Sequence, residues 1–201
     1  MAFRDVIKQS LLSISRPYFE QDTVNPSRKK YGERVFCYEF YHQLRLRSGE
    51  LEGLTISGDT VKSSFQFPQL SQNRSPDILI HNFGNITDNQ VVIEVKTAKD
   101  RGTVYKGIDK DLETLNLFTR EDIDYQLGIY LLVNHDFWEL CTRSQVFKAA
   151  VLKHVVDNPR IEIWNIAKPE LEDGRLKSSC LKCYTSSKIK EEFKLRADRI
   201  I

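Results

Sequence analysis

The sequence contains no stretch near the ~18 consecutive apolar residues that a membrane helix needs, so no membrane partner is expected. The opening residues, MAFRDVIKQSLLSISRPYF, lack a long apolar segment and a small-residue cleavage site. No signal peptide is read there, and a cytoplasmic setting is expected. Cysteine is scarce, with four in 201 residues: Cys37, Cys141, Cys180 and Cys183. Without a secretory signal a disulfide framework is not expected. Cys180 and Cys183 form one CxxC, but no second CxxC or HxxxH completes a zinc site, and His42, His81, His135 and His154 show no ligand spacing. Ordinary reduced cysteines are the expectation. Charge of one sign is also missing: 30 Lys and Arg against 28 Asp and Glu leave a net charge of +2. The bulk field neither demands nor excludes nucleic acid. Phosphate binding would have to come from local clusters, SRKK at 27–30, RLR at 45–47 and the Lys/Arg-rich C-terminal segment; each alone reads as a solvated face.

Internal repeats, low-complexity tracts and linkers are absent too. The 201 residues therefore suit a single domain, 1–201, long enough to bury a real core. A hydrophobic fraction of 40% with 29% charged residues is ordinary for a globular chain. The periodicity predicts a helix over about 3–14, then a connector, RPYFEQDTVNPS. Ser27, after Asn25-Pro26, is the expected N-cap of a second helix reaching about Arg47 and stopped by Gly49. Phe36, Cys37, Phe40 and Leu44 fall on one face of it; Glu33 shares that face and Glu39 lies to its side. LEGLTISGDTVKSSFQF reads as a strand or hairpin with a turn at Gly58-Asp59, DILIH and VVIEVK as two further strands around NFGNITDNQ. A helix over about Lys110–Leu117 follows, then the doubly buried strand YQLGIYLLVN, one long helix over about 137–156, the strand IEIWNI, a polar loop at PELEDG and a C-terminal helix. The middle of the chain is thus ordered α-β-β-β-α-β, with an α-β-α extension over 135–201.

Charge sits on the two central strands where a plain strand would not carry it. Side chains alternate along a strand, so Glu94 and Lys96 share a face with Val92, and Asp77 shares one with Leu79. A turn near Asn85-Ile86 sets Asp77 directly across from Glu94, and neighbouring strands stand only ~4.8 Å apart. Two carboxylates that close repel unless a cation lies between them. A hard divalent ion with oxygen ligands, Mg²⁺ first, fits that place. The Lys96 ammonium falls beside it, able to orient or deprotonate a water or to steady charge on a phosphate. Together these parts suit phosphodiester hydrolysis.

Pro76-Asp77, with Glu94-Val95-Lys96 seventeen residues after the aspartate, resembles the PD-(D/E)xK nuclease superfamily of type II restriction enzymes, Holliday-junction resolvases and RecB-like exonucleases. The resemblance covers about residues 27–134; 1–26 and 135–201 lie outside it. It implies an α/β fold with a restriction-endonuclease-like α-β-β-β-α-β core, a mixed sheet flanked by helices, and N- and C-terminal helical extensions. It also implies a Mg²⁺-dependent (or Mn²⁺-dependent) deoxyribonuclease with DNA as partner, a homodimer being left open. Asp77 and Glu94 would hold the metal and Lys96 would act on water or phosphate. The family often adds a glutamate from the first core helix. Glu33, in GER, and Glu39 compete for that role, and Glu33 is favoured because it shares the core-contacting face. QLGIY, from Gln126 to Tyr130, also resembles the QxxxY motif of RecB-like members, but that motif lies on a helix and Gly128 with its β-rich neighbours reads as strand. Some of these nucleases hold an iron–sulfur cluster with one early and three late cysteines; here the late trio is incomplete. The alternatives are a catalytically degenerate nuclease fold that binds nucleic acid or protein, and an unrelated small α/β protein.

Overall fold

The computed structural model describes residues 3–22, 29–30, 32–58, 74–82, 89–97 and 101–198. In chain order the helices are α1 (Phe3–Leu12), α2 (Arg16–Phe19), α3 (Glu33–Leu46), α4 (Arg101–Phe118), α5 (Phe137–Arg143), α6 (Gln145–His154) and α7 (Ser186–Asp198). The strands are β1 (Gln21–Asp22), β2 (Lys29–Lys30), β3 (Thr55–Gly58), β4 (Ile78–His81), β5 (Asn89–Thr97), β6 (Leu127–Val133), β7 (Ile161–Ile166), β8 (Leu171–Glu172), β9 (Arg175–Leu176) and β10 (Leu181–Thr185).

Strand alternation builds the layers. Val91, Ile93 and Val95 of β5 join one apolar cluster while Val92 joins the other, and β6 divides Ile129 and Leu131 from Tyr130 and Leu132 in the same way. The result is a mixed six-stranded sheet in the order β10-β7-β6-β5-β4-β3. β5, β6 and β7 run parallel, while β3, β4 and β10 pair antiparallel with their neighbours. One face is covered by α1, α2 and α3, the other by α4, α5, α6 and α7. Arg4 of α1 is tied to Glu162 of β7 at 2.8 Å. The segment α3-β3-β4-β5-α4-β6 has the order expected from the sequence. No helix among the described residues is long and apolar enough to cross a membrane.

Several boundaries differ from the sequence reading. α3 begins at Glu33 with Gly32 at its cap, so Ser27, itself outside the described residues, does not start this helix. The connector after α1 contains α2, made possible by a proline in its first turn, where a missing N–H costs nothing. α4 starts at Arg101 instead of Lys110. The single helix expected over 137–156 is two: Ser144 takes an extended backbone and its hydroxyl accepts the Phe147 N–H, capping α6. The PELEDG loop holds the hairpin β8–β9, turned by Asp173 and Gly174 at φ 50° and 75°. LKCYT, read as no element, forms the edge strand β10 against β7. Asp59 of the Gly58-Asp59 turn, the rest of that hairpin and the Asn85-Ile86 turn lie outside the described residues.

Candidate functional site

The register of β4 and β5 decides the centre of the site. Ile78 pairs with Ile93 and Leu79 with Val92, so Asp77, one residue ahead of β4, stands opposite Glu94. The Val95 N–H donates to Asp77 Oδ2 at 2.7 Å and fixes that carboxylate at the strand end. Two residues beyond Glu94, Lys96 Nζ lies 3.3 Å from Glu33 Oε2 and 3.7 Å from Asp111 Oδ2. Glu33 Oε2 also accepts the Thr97 N–H at 3.2 Å. Glu33 is the first residue of α3, where the helix end favours an acid. Asp111 comes from α4 in the opposite layer. The structure therefore brings Asp77, Glu94, Lys96 and Glu33 to one end of the sheet. Glu39 is elsewhere: its carboxylate accepts Gln43 Nε2 at 2.7 Å on its own helix.

Burial raises Asp77 to about 6, and the Glu33 and Asp111 carboxylates push the same way against the Val95 N–H and Lys96. Burial also holds Glu94 well above the usual carboxylate range, with Asp77 and Asp111 adding to it. Asp111 is raised by burial despite the pull of Lys96. Burial alone would lower Lys96, but Asp111, Glu33 and Asp77 outweigh it and the net shift is upward. In the free protein Lys96 is thus an ammonium and a hydrogen-bond donor.

Three features were missed in the sequence. Asp111 is one. Once α4 is extended back to Arg101, Val104, Ile108, Leu112, Leu115 and Phe118 form its buried stripe, and Asp111 falls between Phe118 and Val104 at 100° per residue. The later helix start hid it. Gly107 is the second: a Cβ there would lie 3.3 Å from Lys96 Cε, Lys96 Nζ and Asp111 Oδ2, so the missing side chain is the room that Lys96 uses. The third is Tyr130. It pairs with Glu94 across β5 and β6, and its buried hydroxyl has no hydrogen-bond partner among the described residues. Such an orphan costs ~1–3 kcal/mol. Burial pushes this phenol well upward, with Asp111, Glu33, Glu94 and Asp77 contributing. QLGIY is strand, as its composition implied, with Gln126 exposed just ahead of β6.

Four carboxylates thus surround one ammonium. A hard divalent cation between Asp77 and Glu94 would offset the burial and the carboxylate repulsion that raise both carboxyls. Among the described residues no three histidine, cysteine or acidic side chains stand close enough to hold an ion unaided. Asp77 and Glu94 would supply two ligands and leave the rest to water and phosphate, the habit of Mg²⁺. The four cysteines are free. Cys180 packs against Glu170, whose N–H lies 3.4 Å from its sulfur, and Cys183 lies on β10 with a thiol that burial raises to about 11. Compared with protein-family models, with curated proteins and with solved structures, the chain matches none.

Proposed function

We propose that this protein is a divalent-metal-dependent nuclease of the PD-(D/E)xK type, hydrolysing phosphodiester bonds in DNA on a restriction-endonuclease-like core made of α3-β3-β4-β5-α4-β6. One observation carries the reading: Asp77 and Glu94 oppose each other across β4 and β5, with Lys96 one step further along the same face. Asp77 and Glu94 would hold Mg²⁺ or Mn²⁺, supported by Glu33. Such an ion, when bound, lowers the pKa of a water and offsets phosphate charge. The chain's own groups do the rest. Lys96 donates to a phosphate oxygen and stabilises the charge that grows there. Glu33 and Asp111 hold its ammonium in place from two layers of the fold. The Val95 N–H holds the Asp77 carboxylate at the strand end, opposite Glu94.

The test is incubation of the pure protein with labelled linear, circular, nicked and branched DNA, with Mg²⁺ or Mn²⁺, beside an EDTA control. Metal-dependent cleavage is expected, and Lys96→Ala and Asp77→Ala should each abolish it while the fold survives. Full activity in either variant overturns the assignment. A second reading, a binding module of the same fold, draws on the pairing of Lys96 with both Glu33 and Asp111, an arrangement that a structural ion-pair network also uses. Retention of DNA without cleavage under every metal condition selects it.

A further inference from the structure

A cavity of about 370 Å³ opens directly from the acidic site and shares Glu33 and Asp77 with it. Its outer wall is a stripe of α3 made by Arg34, Cys37, Tyr38 and Tyr41, at i, i+3, i+4 and i+7. This stripe neighbours the one that buries Phe36, Phe40 and Leu44, and it carries aromatics where a solvated helix face carries charge. Tyr38 is 65% exposed. Tyr41 is half-buried and held in place by its hydroxyl on the Ile56 carbonyl at 3.3 Å. The floor is Gly58, where an added Cβ would meet the Tyr41 ring at 3.4 and 3.6 Å. Arg34 is exposed at the rim.

We propose that this cavity takes one unpaired nucleobase of the nucleic acid whose phosphate lies at Asp77 and Glu94, so that the preferred substrate carries a single-stranded segment at the site of action. The proposal rests on the nuclease reading for the position of the phosphate. The size is that of a small-molecule pocket and admits a base, not a duplex. Tyrosine rings accept any base by stacking. The Arg34 guanidinium supplies the positive charge that a flanking phosphate needs, which the carboxylates at the inner end cannot. Gly58 puts no side chain of its own against the Tyr41 ring.

The experiment is binding in EDTA, so that no cleavage is required. Fluorescence anisotropy compares a single-stranded oligonucleotide, a blunt duplex and the same duplex with a three-nucleotide overhang, and 2-aminopurine in the overhang reports stacking. The single strand and the overhang should bind about tenfold more tightly than the blunt duplex, with 2-aminopurine quenched on binding. Tyr38→Ala should remove most of that preference and the quench, and Tyr38→Phe should restore both. Gly58→Leu, which fills the floor, should act like Tyr38→Ala. Equal affinity for blunt and overhanging DNA, or an unchanged quench in Tyr38→Ala, overturns the proposal. Overhang preference without cleavage in Mg²⁺ or Mn²⁺ sinks the nuclease reading and leaves the base pocket standing. Cleavage without any preference does the reverse.

Discussion

At Gly107 the absence of a side chain gives the Lys96 ammonium its place between two layers of the fold. A glycine inside a helix costs about 1 kcal/mol relative to alanine. Gly107→Ala should therefore hold or raise the thermal midpoint while its new methyl, 3.3 Å from Lys96 Nζ, displaces the ammonium. A loss of cleavage of about tenfold with an unchanged or higher midpoint is the expected pair of results, since a tenfold change needs only ~1.4 kcal/mol at the barrier. Full activity would mean that the position of Lys96 is not critical. Asp77 gives a second residue-level outcome. Its carboxyl is raised to about 6 in the fold from an ordinary 3.8, so between those values the folded state holds more protons than the unfolded one. Stability is then greatest below about pH 4 for this group and is lost as pH rises through about 6. In metal-free protein Asp77→Asn should raise the unfolding free energy at pH 7.5 by ~1–3 kcal/mol and change it little at pH 4. Added Mn²⁺ should stabilise wild type but not Asp77→Asn, and cleavage should climb as pH rises through about 6, where Asp77 becomes free to ligate. Equal Mn²⁺ stabilisation of both proteins in thermal shift would place the ion elsewhere.

The helix α3 shows how far element-level reading carried. Its apolar spacing alone placed Glu33 on the core-contacting arc and Glu39 at the border, and the fold puts Glu33 on Lys96 and Glu39 on Gln43. Glu33→Gln should lower turnover about 10- to 100-fold, the worth of a hydrogen bond to a charged group, with little change in DNA affinity; Glu39→Gln should change neither. Rates of the two variants at saturating Mg²⁺ check this, and an inactive Glu39→Gln would move the helix carboxylate. The two central strands were legible for the same reason as α3: period-two patterning fixes a strand's faces, and a turn placed near Asn85-Ile86 gave the register that sets Asp77 opposite Glu94. Other elements were not legible. β10, LKCYT, is a five-residue edge strand with a polar alternate face, too short for periodicity to mark. The break at Ser144 depends on one hydroxyl capping a helix inside a continuous apolar pattern. Asp111 needed the true start of α4, and the place of Tyr130 beside Glu94 needed the pairing of β6 with β5, a parallel contact that no local pattern states.

Across the whole molecule, the carboxyl ends of β5, β6 and β7 share one edge of the sheet, set by their parallel register. The acidic cluster occupies the β5 end of that edge. Beyond the ends of β6 and β7, at Asn134 and Ala167, lies an open hollow of about 660 Å³ edged by Arg16, Lys168 and Lys177. Neighbouring strands stand ~4.8 Å apart, so this hollow begins within two strand spacings of β5. A net charge of +2 gives the molecule little long-range pull on a polyanion, so on the proposed nuclease reading local cations near the carboxylates would supply it. Lys177 is partly engaged with Glu170 at 3.8 Å, whereas Arg16 and Lys168 are exposed. Replacing both, Arg16→Glu with Lys168→Glu, should leave the midpoint unchanged because neither is part of the core. Each cation that neutralises a phosphate contributes about 0.9 to the slope of log affinity against log salt on duplex DNA. The double variant should therefore bind DNA more than tenfold more weakly at low salt and show a slope smaller by about 2. Anisotropy titrations across a salt series measure both quantities, and an unchanged slope would mean that neither Arg16 nor Lys168 contacts a phosphate.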